Sequence, residues 1–156
     1  MELLLWRHAE AEDLSADLGD LGRRLTDKGE RQAIAIAKWL RAKGPKEPRI
    51  LVSPAVRTQQ TARALGLAYA TVDSLAPGAG VADVLAACGW KDARTSRQAV
   101  IVIGHQPFLG RVAATLVTGR ETDWSVKKGA VWWLSHRARG GHGETVVRCV
   151  MPPELA

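Results

Sequence analysis

Ala99-Val100-Ile101-Val102-Ile103 runs without a polar residue and stops at Gly104-His105-Gln106-Pro107. A strand with one face in water alternates apolar and polar residues. An unbroken, β-branched run instead implies burial on both faces, as in a mainly parallel sheet covered by helices. Two other runs have the same form: Leu3-Leu4-Leu5-Trp6 ends in Arg7-His8, and Ile50-Leu51-Val52 ends in Ser53-Pro54. Between them Ala33, Ile36, Ala37 and Leu40 recur at i, i+3, i+4, i+7, with Arg31 and Lys38 on the other side, which predicts an amphipathic helix. Thr26 or Asp27 can cap it, Asp27 with Glu30 has capping-box spacing, and Gly44-Pro45 ends it.

Outward from this centre, a helix is predicted over 55–65, stopped by Gly66. Residues 67–72 read as an edge strand and 81–88 as a short helix after the Pro77-Gly78 turn. Pro107 suits the first position of a helix running to about Val117. Residues 130–135 and 144–151 read as two strands joined by Gly140-Gly141-His142-Gly143, and polar residues 9–25 as a long loop. Strands alternating with helices, then a hairpin, predict an α/β sandwich with a mixed sheet. No repeat or linker divides the chain, so residues 1–156 are expected to be a single domain.

Hydrophobic residues make up 46% and charged residues 24% of the 156, the composition of a globular protein rather than a disordered one. The excess of 22 Lys and Arg over 16 Asp and Glu favours anionic partners: phosphates, acidic protein faces or nucleic acid. The basic residues are scattered and no nucleic-acid motif occurs, so nucleic acid is set aside. Cys88 and Cys149 make neither a disulfide framework nor a zinc site, and the apolar start is too short for a signal core or a membrane span. A reducing, cytoplasmic location with no membrane association is expected. No ligand cluster has metal spacing, so neither a metal nor another cofactor is expected.

Ligand crevices of α/β sheets lie beyond the carboxyl ends of the strands. Arg7 and His8, Arg57, and His105 follow three such ends and can therefore meet in space. Two guanidiniums hold a phosphate dianion by bidentate, charge-assisted hydrogen bonds. A neutral imidazole is a nucleophile toward phosphorus, and a second, protonated one can stabilise the phosphoryl oxygens in flight. Taken singly, each residue has an ordinary structural explanation. His136 and His142 are read as surface residues, Arg63 as a solvated helix residue, and the six tryptophans as packing.

Leu4-Leu5-Trp6-Arg7-His8-Ala9-Glu10 resembles the strand-plus-Arg-His signature of the histidine phosphatase superfamily, with Ala9 where Gly is commonest. Leu25-Thr26-Asp27-Lys28-Gly29 is similar to its Leu-Thr-x-x-Gly helix start. The segment from Ser53 to Ala62 is similar to its Ser-Pro-x-x-Arg-x-x-x-Thr-Ala, and Val102-Ile103-Gly104-His105 to its second His. The resemblance implies the three-layer α/β/α sandwich of phosphoglycerate-mutase-like proteins. It also implies a phosphoacceptor at His8 and a phosphate pocket completed by Arg7, Arg57 and His105.

Larger members of that family carry an acid in an inserted loop, where this chain has only residues 71–80. The nearest acids are Asp73 and Asp83, and neither lies in an acid motif. An alkoxide leaves poorly without a general acid, whereas an imidazole of pKa about 6.5 can depart neutral. Short length and an open pocket resemble the SixA-type phosphohistidine phosphatases. The expected partner is then a phosphohistidine-bearing signalling or phosphocarrier protein, and a monomer is expected. The alternatives are a small-molecule or promiscuous phosphomonoesterase, with Asp73 or Asp83 as a distorted acid, and a non-catalytic phosphate-binding module.

Overall fold

In the computed structural model, which describes residues 1–90, 97–139 and 142–156, the three apolar runs lie side by side in the middle of a six-stranded sheet. The strands are β1 (Glu2–Arg7), β2 (Arg49–Val52), β3 (Ala70–Thr71), β4 (Ala99–Gly104), β5 (Val131–Arg139) and β6 (His142–Met151), in the order β3-β2-β4-β1-β5-β6. β1, β2, β3 and β4 are parallel, and β5 and β6 add an antiparallel ribbon beside β1. Three helices of the expected lengths, α2 (Asp27–Lys43), α4 (Val81–Cys88) and α5 (Phe108–Thr118), join α3 (Val56–Arg63) on the two faces. The sheet is thus mixed and mainly parallel.

Side-chain alternation divides the central strands between two cores. Leu3, Leu5, Leu51, Val100 and Val102 pack with Val84 and Cys88 of α4 and Leu109 and Val112 of α5. Leu4, Trp6, Ile50, Val52, Ile101 and Ile103 pack on the opposite face with Ile36, Ala37 and Leu40 of α2 and Ala62 of α3. That is the three-layer α/β/α sandwich. Each fully buried aliphatic side chain contributes about 1.5–3 kcal/mol of hydrophobic stabilisation. The doubly apolar runs are therefore satisfied only in the middle of this sheet.

Local details differ from the periodicity reading. α2 is capped by Thr26 alone, whose Oγ1 accepts the Gly29 amide at 3.0 Å, so the Asp27–Glu30 spacing goes unused. Pro107 is the N-cap of α5 rather than its first helical residue, and follows a cis Gln106–Pro107 bond. The 9–25 loop is not plain loop. It holds a short helix α1 (Gly19–Gly22) and is zipped at its base by the Ala11–Leu25 bridge and by the Glu12 amide donating to Arg24 O at 2.8 Å. The hairpin strands extend further toward each other than 130–135 and 144–151; residues 140 and 141 of the expected turn lie outside the described residues, as does the His142 side chain. His136 is half-buried, not a surface residue, with Nδ1 2.9 Å from Thr145 Oγ1 and its ring 5.2 Å from that of Trp90. Among the described residues no helix is long and apolar enough to cross a membrane.

Candidate active site

Because β2, β4 and β1 are parallel neighbours, their carboxyl ends open on one edge of the sheet. Arg7 closes β1 and pairs in register with Gly104, which closes β4, so His8 and His105 emerge side by side. Their ring centroids are 5.3 Å apart. β2 delivers Ser53 and the first turn of α3, and Arg57 turns back so that Nη2 lies 3.2 Å from His105 Nδ1. Gly104 is required at this crossing, since a Cβ there would lie 2.3 Å from the Phe108 ring.

His8 is buried and held through its backbone: its amide donates to Gly104 O and its carbonyl accepts from the Gly129 amide, both at 3.0 Å. Its Nδ1 is 2.7 Å from the Ala9 carbonyl, which can only accept, so Nδ1 carries the proton and Nε2 keeps its lone pair. At His105 the logic reverses. The guanidinium of Arg57 can only donate, so Nδ1 accepts and Nε2–H donates to Ser53 Oγ at 2.7 Å. Burial lowers the His8 pKa to about 4; the Ala9 hydrogen bond opposes the shift, and Arg57, Arg7 and Arg23 add to it. Burial also lowers His105, to about 3, with Arg57 and His8 adding to the effect. Both imidazoles are neutral in the free protein, so the expected protonated His105 is not its resting state. A dianion in the pocket would raise it.

Arg57 is buried, at 3% exposure. Arg7 Nη1 donates to Val126 O at 2.7 Å, and burial followed by Arg57 lowers its pKa. The Nε atoms of Arg7 and of Arg57 are buried without a protein acceptor. Buried donors are nearly always paired. Two cationic donors left over beside two neutral imidazoles are what a tetrahedral oxyanion would satisfy.

The motif residues around them have identifiable work. Thr61 Oγ1 accepts the Ala9 amide at 3.2 Å and donates to Arg57 O at 2.7 Å, tying α3 to the turn after His8. Gly29 lets α2 pass the Glu10 backbone, where a Cβ would lie 1.9 Å from the carbonyl oxygen. Residues 120–130 form a wall that strand and helix patterns did not reveal: Val126 O holds Arg7, and Gly129 O accepts from Trp6 Nε1 at 2.8 Å.

Asp83 is occupied in accepting the Gly80 amide at the start of α4, Asp73 is exposed in the turn after β3, and Arg63 is exposed at the end of α3. Among the described residues, Asp20 of α1 is an acid that contacts Arg57. Its Oδ2 accepts from Arg57 Nη2 at 3.0 Å, its carbonyl accepts from Arg57 Nη1 at 2.5 Å, and its Oδ1 accepts from Arg23 Nη1 at 3.1 Å. Burial pulls its carboxyl upward, and the hydrogen bonds from Arg57 and Arg23 outweigh that, leaving it below the ordinary carboxylate range. Beside the pocket opens a groove of about 660 Å³ lined by Lys28, Arg31, Gln32, Lys127, Lys128 and Glu154. It adjoins the site through Gln32, which accepts the Glu10 amide, and through Lys128, whose chain neighbour Gly129 bonds His8.

The profile of the Histidine phosphatase superfamily (branch 1) matches residues 3–76, the stretch from β1 past α3. A phosphohistidine phosphatase, SixA of Escherichia coli strain K12, is 30% identical over 128 residues, which cover 76% of each chain. This chain belongs to the histidine phosphatase superfamily. An uncharacterized Picosynechococcus protein is 33% identical over 126 residues, 77% of this chain and 75% of its own. The solved structure of the protein histidine phosphatase SixA complexed with tungstate superposes with a TM-score of 0.81 at 26% identity, covering 98% of this chain and 97% of that one. Histidine phosphatase membership and the SixA likeness support a phosphatase. The α/β/α sandwich is the fold it shares with SixA.

Proposed function

We propose that this chain is a metal-independent phosphohistidine protein phosphatase that passes the phosphoryl group through His8. The observation that carries the reading is the tautomer of His8: with Nδ1–H held by the Ala9 carbonyl, Nε2 is an unprotonated nucleophile beside two arginines. Arg7, Arg57 and His105 bind the phosphoryl oxygens. In the first step Nε2 attacks phosphorus, the Nε2–P bond forms, and the P–N bond to the substrate histidine breaks. The departing electron pair stays on that imidazole, which leaves neutral because its other nitrogen bears a proton. Water then attacks phospho-His8, the P–Nε2 bond breaks, and inorganic phosphate departs with the water's proton passed to solvent or phosphate. Neither Asp73 nor Asp83 takes part.

The kinship to SixA proteins supports phosphohistidine as substrate and a signalling or phosphocarrier protein, in the cytoplasm, as its bearer. The basic groove beside the pocket suits an acidic face of such a partner. His8→Ala should abolish turnover of a phosphohistidine peptide and of p-nitrophenyl phosphate, and should remove the acid-labile phosphoenzyme trapped by rapid quenching. Near-normal activity in that variant would end the assignment. EDTA should leave the rate unchanged, and activity restored by a divalent ion would contradict the metal-free mechanism.

A further inference from the structure

We infer that Asp20 is a tethered competitor for the phosphate pocket, a carboxylate that holds Arg57 Nη2 in the free protein and must let go before a phosphoryl oxygen can take that nitrogen. The inference rests on the site being an oxyanion pocket, and it names what governs entry to it. Arg57 Nη2 has two hydrogens. One is given to His105 Nδ1 at 3.2 Å and the other to Asp20 Oδ2 at 3.0 Å. Nη1 gives a hydrogen to the Asp20 carbonyl oxygen. A phosphate oxygen can therefore accept from Nη2 only by displacing His105 or Asp20. His105 is buried and also held by Ser53, whereas the Asp20 side chain is 44% exposed on a short helix with no buried residue. Asp20 is the partner that can leave.

Arg23 completes the device. Its Nε donates to Glu12 O at 2.7 Å and its Nη1 to Asp20 Oδ1 at 3.1 Å, so it stands at the base of the loop and near enough to His8 to lower its pKa. When Asp20 withdraws from Arg57 it still has a cation to turn to. A built-in carboxylate raises the dissociation constant of every anion at this pocket by the same factor. Free phosphate and small phosphomonoesters have little else to bind with. A phosphoryl group on a protein brings the partner's surface contacts and tolerates the competition.

The test is calorimetric titration of inorganic phosphate into the intact protein, which needs no turnover. Asp20→Asn and Asp20→Ala should each bind phosphate about five- to tenfold more tightly than the parent, the size of effect expected of one allosteric or competitive contact, with unchanged circular dichroism. Equal or weaker binding in both variants would overturn the inference, since Asp20 would then merely hold Arg57 in position. Adding Arg57→Gln to Asp20→Asn separates this from failure of the pocket itself. Loss of phosphate binding there places the anion on Arg57. Undiminished binding, or no binding by any of the variants, would remove the pocket and the competitor together.

Discussion

At the scale of single residues, the site holds two neutral histidines in a nest of arginines. Both ring pKa values are driven down by burial first, to about 4 for His8 and about 3 for His105, against an ordinary value of about 6.5. NMR titration of the free protein between pH 8 and pH 5 should therefore show neither ring protonating, and added phosphate should move His105 upward. A His8 or His105 midpoint near 6.5 without phosphate would contradict the burial argument. Arg57→Ala removes the guanidinium that bonds His105 and, in the proposed mechanism, the phosphoryl oxygens. It should cost roughly 3 kcal/mol of transition-state stabilisation, the range seen when one preorganised donor is deleted, read as kcat/KM on a phosphohistidine peptide. Ser53→Ala leaves His105 Nε2–H without its acceptor and should lower kcat while sparing His8 phosphorylation in single-turnover trapping.

At the scale of elements, glycines and caps decide whether the strand ends stay in register with the loops. Gly29→Ala would set a Cβ 1.9 Å from the Glu10 carbonyl oxygen, a contact with backbone that cannot yield. Overpacking of this kind typically costs about 1–3 kcal/mol, so the urea midpoint should fall, and activity with it, because the turn after His8 shifts. An unchanged midpoint would mean that α2 can slide away from Glu10. Asp83→Asn is the contrast. Its carboxylate accepts the Gly80 amide at 2.8 Å at the start of α4. It should lower stability by at most about 1 kcal/mol, the scale of a helix cap, and leave kcat on phosphohistidine unaltered. A selective loss on alkyl phosphates in Asp83→Asn or Asp73→Asn would instead reveal acid catalysis and favour a small-molecule phosphatase.

At the scale of the whole molecule, the same burial that tunes the site makes folding depend on pH. The folded state keeps His8 and His105 unprotonated well below the value of about 6.5 at which they take protons in the unfolded chain. Between those limits the unfolded state holds more protons, so stability rises with pH. It is fully present above about pH 6.5 and is lost as the pH falls toward the folded values near 4 and 3. Urea midpoints measured at pH 7 and pH 5 should show the decline, and replacing both residues by Asn should flatten it. An equal slope in the double variant would trace the decline to other groups. Leaving-group dependence is also a property of the whole fold. With only residues 71–80 where larger relatives carry an inserted loop, phosphohistidine and aryl phosphates should turn over and simple alkyl phosphates hardly at all.

Composition and order along the chain determined the architecture, because burial on both faces leaves a mark that survives in one dimension. The runs at Leu3–Trp6, Ile50–Val52 and Ala99–Ile103 lack the alternation of a half-exposed strand, and two layers of helix are the only cover that suits them. The residues at their ends were legible for the same reason: parallel neighbours must open on one edge. Asp20 was not legible. Residues 9–25 contain five acids, Glu10, Glu12, Asp13, Asp17 and Asp20, with nothing in their spacing to say which meets Arg57. That is decided by the path of the loop, which the Ala11–Leu25 bridge and the close pass of Gly29 under Glu10 impose. The 120–130 wall was hidden likewise, since it acts through carbonyl and amide groups that every residue carries. Protonation belongs to the tertiary structure too. A histidine's charge at neutral pH depends on how much water and how many guanidiniums surround it, and only the folded chain sets either.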